Sequence, residues 1–346
     1  MKRLLIVIAT VAAALLATIA HADKQVTPYL TEVASRSLKY SRVSYCSQQT
    51  VAKWSCGPAC DAVPGYQTRE FFFSQKRDAF GYAGVDTTNQ QIVVAFRGTN
   101  GAMNWWYNLL YTRIPYTTVR SCGAKCSVHF GFYAMYLSVR PKVMRLVLGL
   151  LAQYPGYEVL VTGHSLGGAL AVLAAVDLQG HSLGGALAVL AAVDLQDQLN
   201  GMSQSTKPVA LYTFGAPRVG DKHFAAWTAK ILAKGPHYRI THARDPVPHL
   251  PPKGFGFLHA PTEVFFRTSE SSSMLICDDS STAESRRCSN KLLSWVVDDH
   301  LKYLNENTGC PEETSPKKRS TESAPPMPKH LYARLMWEYL KNGIGA

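Results

Sequence analysis

The 346-residue chain has no Asn-x-Ser/Thr sequence, so no N-linked glycan is expected. After its N-terminal segment it has no apolar run long enough to cross a bilayer, which argues against a further membrane-spanning helix. It also has no stripe of basic residues interleaved with aromatics. Its formal charge of +12 therefore does not indicate a nucleic-acid partner. An anionic lipid surface is the other partner that such a charge favours, and an ordinary solvated surface is the simplest interpretation.

The N-terminus has the features of a secretory signal peptide. Lys2 and Arg3 precede an apolar run from Leu4 to Ala20, and Ala20-His21-Ala22 has the small-x-small pattern of a cleavage site. We expect cleavage after Ala22 and secretion of the remainder, which lowers the net charge from +12 to +10. A membrane anchor is the alternative, but the polar residues after Ala22 favour export.

The mature chain contains an even number of cysteines. Because an exported chain reaches an oxidising compartment, the eight cysteines predict four disulfides. Zinc is the rival interpretation, since two pairs have roughly the spacing of zinc ligands, and export makes it the weaker one. The eight are Cys46, Cys56, Cys60, Cys122, Cys126, Cys277, Cys288 and Cys310.

The middle of the chain alternates strand-like and helix-like segments. This alternation predicts the α/β class, with a central, mostly parallel sheet covered by helices. Strands are predicted at 91–96, 157–162, 208–214 and 237–242, and helices at 129–153, with a kink at Pro141, at 169–179 and at 221–234.

Residues 163–179 are repeated without a change at 180–196. A 17-residue unit that occurs twice is too short for a solenoid, so it indicates a recent duplication or an error in the underlying sequence. We expect the second copy to lengthen the connection to the next strand. Closing that longer loop costs only about 0.8 kcal/mol, but its apolar residues must be buried somewhere.

The first copy opens with Gly163-His164-Ser165-Leu166-Gly167, a Gly-x-Ser-x-Gly sequence. The pentapeptide alone is a weak signal. Here it directly follows a predicted strand and begins a predicted helix, as a nucleophile elbow requires. We therefore predict that Ser165 is the nucleophile. Ser182 has the same pentapeptide but follows the end of the first predicted helix, so no strand presents it.

A nucleophilic serine needs a base, and the base needs a carboxylate to orient it. Asp245 lies in a loop just after a predicted strand, where the acid of an α/β hydrolase is expected. His249 is a possible base, but it follows its acid by four residues on a proline-stiffened loop. We predict His300 as the base and His249 as the weaker candidate.

The residues from Pro311 onward are polar and rich in proline, which predicts a tail at 311–346 after a domain at 23–310. Helical periodicity returns in the last part of the tail, from His330 to Gly343. This short amphipathic helix either docks on its own domain or binds a lipid surface or partner.

The chain resembles the class 3, fungal-type triacylglycerol lipases. Six segments carry the resemblance, in the family's order and over about residues 25–310: RGT at 97–99, VHFGFYAMY at 128–136, VTGHSLGGAL at 161–170, YTFGAPRVGD at 212–221, DPVPHLPP at 245–252 and DHLKYL at 299–304. The resemblance implies an α/β-hydrolase fold and a triad of Ser165, Asp245 and His300. The duplication, the pair Cys122 and Cys126, and the tail depart from the family's pattern.

The resemblance also implies an oxyanion hole from the backbone N–H of Leu166 and from Thr99. Residues 100–111 match the family's lid in place and character. This lid would cover the acyl site in water and open at a lipid surface, and its large apolar residues are Met103, Trp105, Trp106, Leu109 and Leu110. Ordinary core packing of the two tryptophans is the alternative. Family disulfides carry over as Cys46–Cys310, Cys56–Cys60 and Cys277–Cys288, and Cys122 would then pair with Cys126.

Together these features predict a secreted ester hydrolase that needs no metal or cofactor and acts on glycerides at a lipid–water interface. A phospholipase A1 or a feruloyl-type esterase would use the same scaffold. An inactive secreted lipid-binding protein is the alternative outside enzymes. Acyl-chain preference and oligomeric state cannot be read from the sequence.

Overall fold

The computed structural model of the chain describes residues 28–77, 79–98, 112–164, 184–202, 207–268, 273–277, 283–292 and 294–310. The predicted signal peptide, the expected lid at 100–111, the predicted helix at 169–179 and the tail at 311–346 lie outside these residues. No helix in the described ranges is long and apolar enough to cross a membrane.

The main sheet has eight strands in the order β1-β2-β3-β6-β7-β9-β11-β12. The five central strands from β3 to β11 are parallel to their neighbours, and antiparallel pairs at the two edges complete the sheet. The strands are β1 (Tyr66–Ser74), β2 (Ala79–Asp86), β3 (Gln91–Phe96), β6 (Glu158–His164), β7 (Ala210–Phe214), β9 (His237–His242), β11 (Glu263–Phe266) and β12 (Met274–Cys277). The four predicted strands are β3, β6, β7 and β9.

Helices cover both faces of this sheet. Alternate residues of β3 point to opposite sides: Ile92, Val94 and Phe96 join one apolar cluster, and Val93 and Ala95 join the other. The helices are α1 (Thr31–Val43), α2 (Gln48–Lys53), α3 (Pro58–Asp61), α4 (Phe130–Gln153), α5 (Gly184–Asn200) and α6 (Lys222–Ile231). The first three lie in the second cluster and the last three in the first, so the predicted α/β architecture is confirmed.

Two small sheets complete the described fold. A four-stranded sheet has the order β10-β8-β5-β4, and β13 pairs with β14. Their strands are β4 (Arg113–Pro115), β5 (Ser127–His129), β8 (Gly220–Asp221), β10 (Phe257–Leu258), β13 (Lys302–Tyr303) and β14 (Glu306–Asn307). None of them was predicted from the sequence, because strands of two or three residues show no measurable hydrophobic alternation.

Four disulfides join the pairs Cys46–Cys310, Cys56–Cys60, Cys122–Cys126 and Cys277–Cys288. Three of them are the pairs that the family resemblance implies, and Cys122–Cys126 is the pair that was left by elimination. The first links the end of α1 to the end of the domain across 264 residues, whereas the other three close loops of 4, 4 and 11 residues.

The second copy of the repeat does not lengthen a connection. Residues 184–196 of that copy form most of α5, which packs against β3, β6 and β7. Asp194 is fully buried there and accepts hydrogen bonds from Nε and Nη2 of Arg140 on α4, at 2.6 and 3.0 Å. Gln196 accepts a hydrogen bond from the backbone N–H of Val209, at 2.7 Å. These contacts, which local helical periodicity cannot reveal, assign the core helix to the second copy.

Because the copies are identical, each contact of α5 has an internal control. We expect Asp194→Asn to lower the free energy of unfolding by about 2–3 kcal/mol, since Arg140 loses its charged acceptor. The matched change in the first copy, Asp177→Asn, should alter it by less than about 0.5 kcal/mol. Denaturant unfolding curves of the two variants measure both values. The reverse order would mean that the first copy forms the core helix.

Candidate active site

Two residues that are 55 positions apart in sequence meet beyond the carboxyl end of β9. Asp245, in the loop after β9, accepts a hydrogen bond from His300, with 2.7 Å between Oδ2 and Nδ1. Both side chains are 1% exposed, so water does not compete for this contact. His300 lies in the 3-10 helix Val297–Leu301. The structure thus brings the predicted acid and the predicted base together.

Two further donors hold the carboxylate of Asp245. The backbone N–H of Val247 donates to Oδ1 at 2.8 Å, and the Tyr303 hydroxyl donates to Oδ2. Burial and the negative charge of Asp245 raise the pKa of Tyr303 well above its usual value, so its hydroxyl keeps the proton that it donates. This role of Tyr303 was not predicted from the sequence. Its only signal was its place three residues after His300 in the DHLKYL segment.

The other ring nitrogen of His300, Nε2, is buried and has no hydrogen-bond partner among the described residues. Gly215 packs against the same ring with a φ of +56°. A Cβ at that position would lie 2.7 Å from Cε1 of His300 and 2.8 Å from Oδ2 of Asp245. Both the positive φ and the lack of space for a Cβ therefore require glycine at position 215. Of the two ring nitrogens of His300, Nε2 is the one left to exchange a proton.

His249, the weaker candidate for the base, lies beside the Asp245–His300 pair. The ring stacks on Trp295, with 5.9 Å between centroids, while its carbonyl accepts a hydrogen bond from Arg218. Burial, together with the positive charge of Arg218, lowers the pKa of His249 to about 4. Arg218 also forms a buried ion pair with Glu284, so His249 belongs to a structural network beside the site.

His164, the last residue of β6, contacts the proposed base directly. Its ring stacks on that of His300, with 4.6 Å between centroids, and its Nε2 lies 2.9 Å from the His300 carbonyl oxygen. Burial and the neighbouring His300 ring hold the pKa of His164 well below its usual value, so the ring is neutral. From the sequence, His164 was named only as a member of the Gly-x-Ser-x-Gly segment, with no role of its own. The residue before the predicted nucleophile therefore also orients the base.

Glycines allow β6 and α5 to meet beside this pair. A Cβ on Gly163 would lie 2.2 Å from the carbonyl oxygen of Gly184, and one on Gly184 would lie 2.5 Å from that of His164. A Cβ on Gly185 would lie 2.7 Å from the Cβ of Ala216. The strand that precedes Ser165 therefore touches the helix that follows Ser182.

Several predicted site residues lie outside the described residues. They are Ser165 and Leu166, the oxyanion residue Thr99, and the lid residues Met103, Trp105, Trp106, Leu109 and Leu110. Ser182 also lies outside them. Gly98, which precedes Thr99, and His164, which precedes Ser165, are both among the described residues. Their positions fix where the chain leaves β3 and β6.

The chain is similar to known proteins of one family. The family described as Lipase (class 3) matches residues 93–180 and 176–255, and the two matches meet at the repeat. The solved structure of lipase II from Rhizopus niveus has a TM-score of 0.68 at 30% identity, covering 82% of this chain and 98% of that one. The chain belongs to the class 3 lipase family. Its predicted family membership is thereby confirmed.

Two further class 3 relatives are informative. A lipase from Rhizomucor miehei is 35% identical over 271 residues, which is 77% of this chain and 66% of the relative. The chain thus spans slightly less than two thirds of that lipase. A solved triacylglycerol lipase with a TM-score of 0.67 and 31% identity, covering 81% of this chain and 96% of that one, is described as having a serine protease triad as its catalytic centre.

Proposed function

We propose that this protein is a secreted carboxylic ester hydrolase of the triacylglycerol lipase type, with Ser165, His300 and Asp245 as its triad. The observation that carries the proposal is the buried Asp245–His300 pair, whose remaining nitrogen, Nε2, has no partner among the described residues. Its place, beyond the carboxyl ends of parallel strands and beside the end of β6, is where a nucleophile elbow would present a serine.

In the proposed mechanism, Nε2 of His300 accepts the Ser165 proton as the hydroxyl attacks the ester carbonyl. Asp245 keeps the proton of His300 on Nδ1 and stabilises the imidazolium that forms. His300 then returns the accepted proton to the leaving alcohol, and water hydrolyses the acyl-enzyme by the same route. The backbone N–H of Leu166 and the side-chain hydroxyl of Thr99 would donate to the oxyanion in both halves.

Glycerides are the proposed substrates because two features support a lipid over a small soluble ester. A structurally similar protein is described as a triacylglycerol lipase. The segment at 100–111 is also rich in large apolar residues, which would cover the acyl site in water and open at a lipid surface.

Secretion is supported by the predicted signal peptide and by four disulfides. A phospholipase A1, a feruloyl-type esterase and an inactive lipid-binding protein are the rival outcomes of the test.

The test is the rate of tributyrin hydrolysis measured through the solubility limit of the substrate. We expect the rate to rise steeply once droplets form. Opening the lid exposes apolar surface, which costs about 25 cal/mol per Å² in water. At an interface that surface contacts lipid, so the cost is not paid in water. Trp105→Ala with Trp106→Ala should flatten the rise and spare short soluble esters. On droplets that contain anionic lipid, salt should weaken the activity of this positively charged protein.

The matched control is the Trp105→Phe and Trp106→Phe double variant, which keeps the large apolar side chains and should keep the rise. Smooth saturation with no step, unchanged in the alanine double variant, would replace the lipase with a soluble esterase. A wild-type protein that neither hydrolyses esters nor reacts with a fluorophosphonate probe would be a lipid-binding protein instead.

A further inference from the structure

Tyr45 lies two residues after α1 and next to the Cys46–Cys310 disulfide, far in sequence from the proposed triad. Its hydroxyl nevertheless reaches the ends of two central strands. It accepts a hydrogen bond from the backbone N–H of Gly98 at 3.1 Å, and it lies 2.9 Å from the carbonyl oxygen of His164 and 3.1 Å from its Nδ1. One side-chain atom thus connects the segment after β3 to the last residue of β6.

The direction of each hydrogen bond follows from counting protons. Nε2 of His164 faces the His300 carbonyl oxygen, which only accepts, so this nitrogen carries the ring proton. Because the ring is neutral, Nδ1 is left as an acceptor. Burial raises the pKa of Tyr45, so its hydroxyl stays protonated and donates its single proton to His164, at the carbonyl oxygen with Nδ1 beside it. Its lone pair receives the N–H of Gly98.

Gly98 can be held in place only through its backbone and its neighbours. It has no side chain, and its carbonyl oxygen accepts a bond from Nε of Arg97, the preceding residue. The Tyr45 hydroxyl is the contact that ties its N–H to another part of the fold. Phe96 of β3 pairs with Gly163 of β6, so both chain segments leave the sheet at the same edge. We call the contacts of the Tyr45 hydroxyl with Gly98 and His164, which bridge these two segments, the tether.

We propose that Tyr45 is a positioning residue for ester hydrolysis, which sets the spacing between the oxyanion donor and the nucleophile. The proposal rests on the function proposed above. Gly98 directly precedes Thr99, and His164 directly precedes Ser165, so a hydroxyl that bonds both fixes the starting points of the two segments. Displacing a catalytic donor by about 1 Å can lower a rate by about 10²-fold.

Tyr45→Phe tests the proposal because it keeps the aromatic ring that packs against His164 and removes only the hydroxyl. We expect kcat to fall by about 30-fold, with KM changed by less than about twofold, because oxyanion contacts act in the transition state. In a Thr99→Ala background the same change should cost less than about threefold, since the donor that Tyr45 positions is already impaired.

Tyr82→Phe is the matched control. It also removes a buried tyrosine hydroxyl, which donates to the carbonyl oxygen of Tyr40 at 2.7 Å, away from the site. Its kcat should stay within about twofold of wild type when both variants are assayed below their unfolding temperatures. An unchanged kcat in Tyr45→Phe, or equal losses with and without Thr99, would overturn the proposal.

Hydrogen exchange at the Gly98 amide tests the tether without turnover. In Tyr45→Phe this amide should exchange about tenfold faster or more, while Tyr82→Phe should leave it unchanged. If the wild-type protein proves inactive but Gly98 responds in this way, the proposed function fails and the tether stands. If Gly98 does not respond, the tether itself is wrong.

Discussion

Replacing Ser165 with alanine is expected to lower ester hydrolysis by about 10⁶-fold, whereas Ser182→Ala should leave it nearly unchanged. The reason is the strand before each serine. Ser165 follows His164 directly, and the His164 ring stacks on that of His300 at 4.6 Å. Ser182 has no strand before it in the sequence pattern. Initial rates on a soluble ester, with folding checked by circular dichroism, measure both effects.

The position of α5 makes the Ser182→Ala variant a test of which copy supplies the nucleophile. The helix on the sheet begins at Gly184, two residues after Ser182, so that serine precedes the helix whose N-terminal N–H groups would favour an oxyanion. If Ser182→Ala silences the enzyme and Ser165→Ala does not, the second copy supplies the nucleophile as well as the helix. Deleting one 17-residue copy cannot decide the question, because removing either leaves the same sequence.

Probe labelling identifies the reactive serine directly if the digest is chosen for this chain. Trypsin leaves both serines on one peptide, residues 146–218, because Lys207 is followed by proline and the next cleavable residue after Arg145 is Arg218. Cleavage before Asp177 separates them, and the upstream piece carries Ser165. A fluorophosphonate adduct on that piece supports Ser165, and one downstream of Asp177 supports Ser182.

The parts of the site that could be predicted from sequence were those with local patterns. Asp245 follows a strand and precedes a proline-stiffened loop, and His300 lies in a recognisable DHLKYL segment, so order along the chain sufficed for both. Tyr45, His164 and Tyr303 were missed as functional residues. Their hydroxyl or ring contacts reach residues 53 to 136 positions away, and no periodicity encodes these.

The duplication shows where local reasoning fails. Both copies have the same helix propensity and the same apolar spacing, so the sequence favoured the copy that directly continues the predicted strand. Tertiary contacts decide otherwise. Asp194 meets Arg140, and Gln196 meets the N–H of Val209, while residues 197–200 continue the helix beyond the repeat. The copy next to residue 197 is the one that can extend α5 without a break.

The second large effect concerns the base. His300→Ala should lower kcat by about 10⁶-fold, because it removes the ring that Asp245 holds by a hydrogen bond. Asp245→Asn should cost less, about 10⁴-fold, since the ring would remain but lose the acceptor that fixes its tautomer. Both variants are measured by steady-state hydrolysis of a soluble ester, so that lid opening does not limit the rate.

His249→Ala is the matched control for His300→Ala, because it removes a second buried histidine from the same part of the fold. The ring of His249 packs on Trp295, and its backbone is held by Arg218. Its loss should therefore lower the unfolding temperature while kcat stays within a few-fold of wild type, as about 1–3 kcal/mol of packing is lost without a proton acceptor. Full fluorophosphonate labelling of His300→Ala would remove His300 from the triad. A silenced but folded His249→Ala variant would make His249 the base.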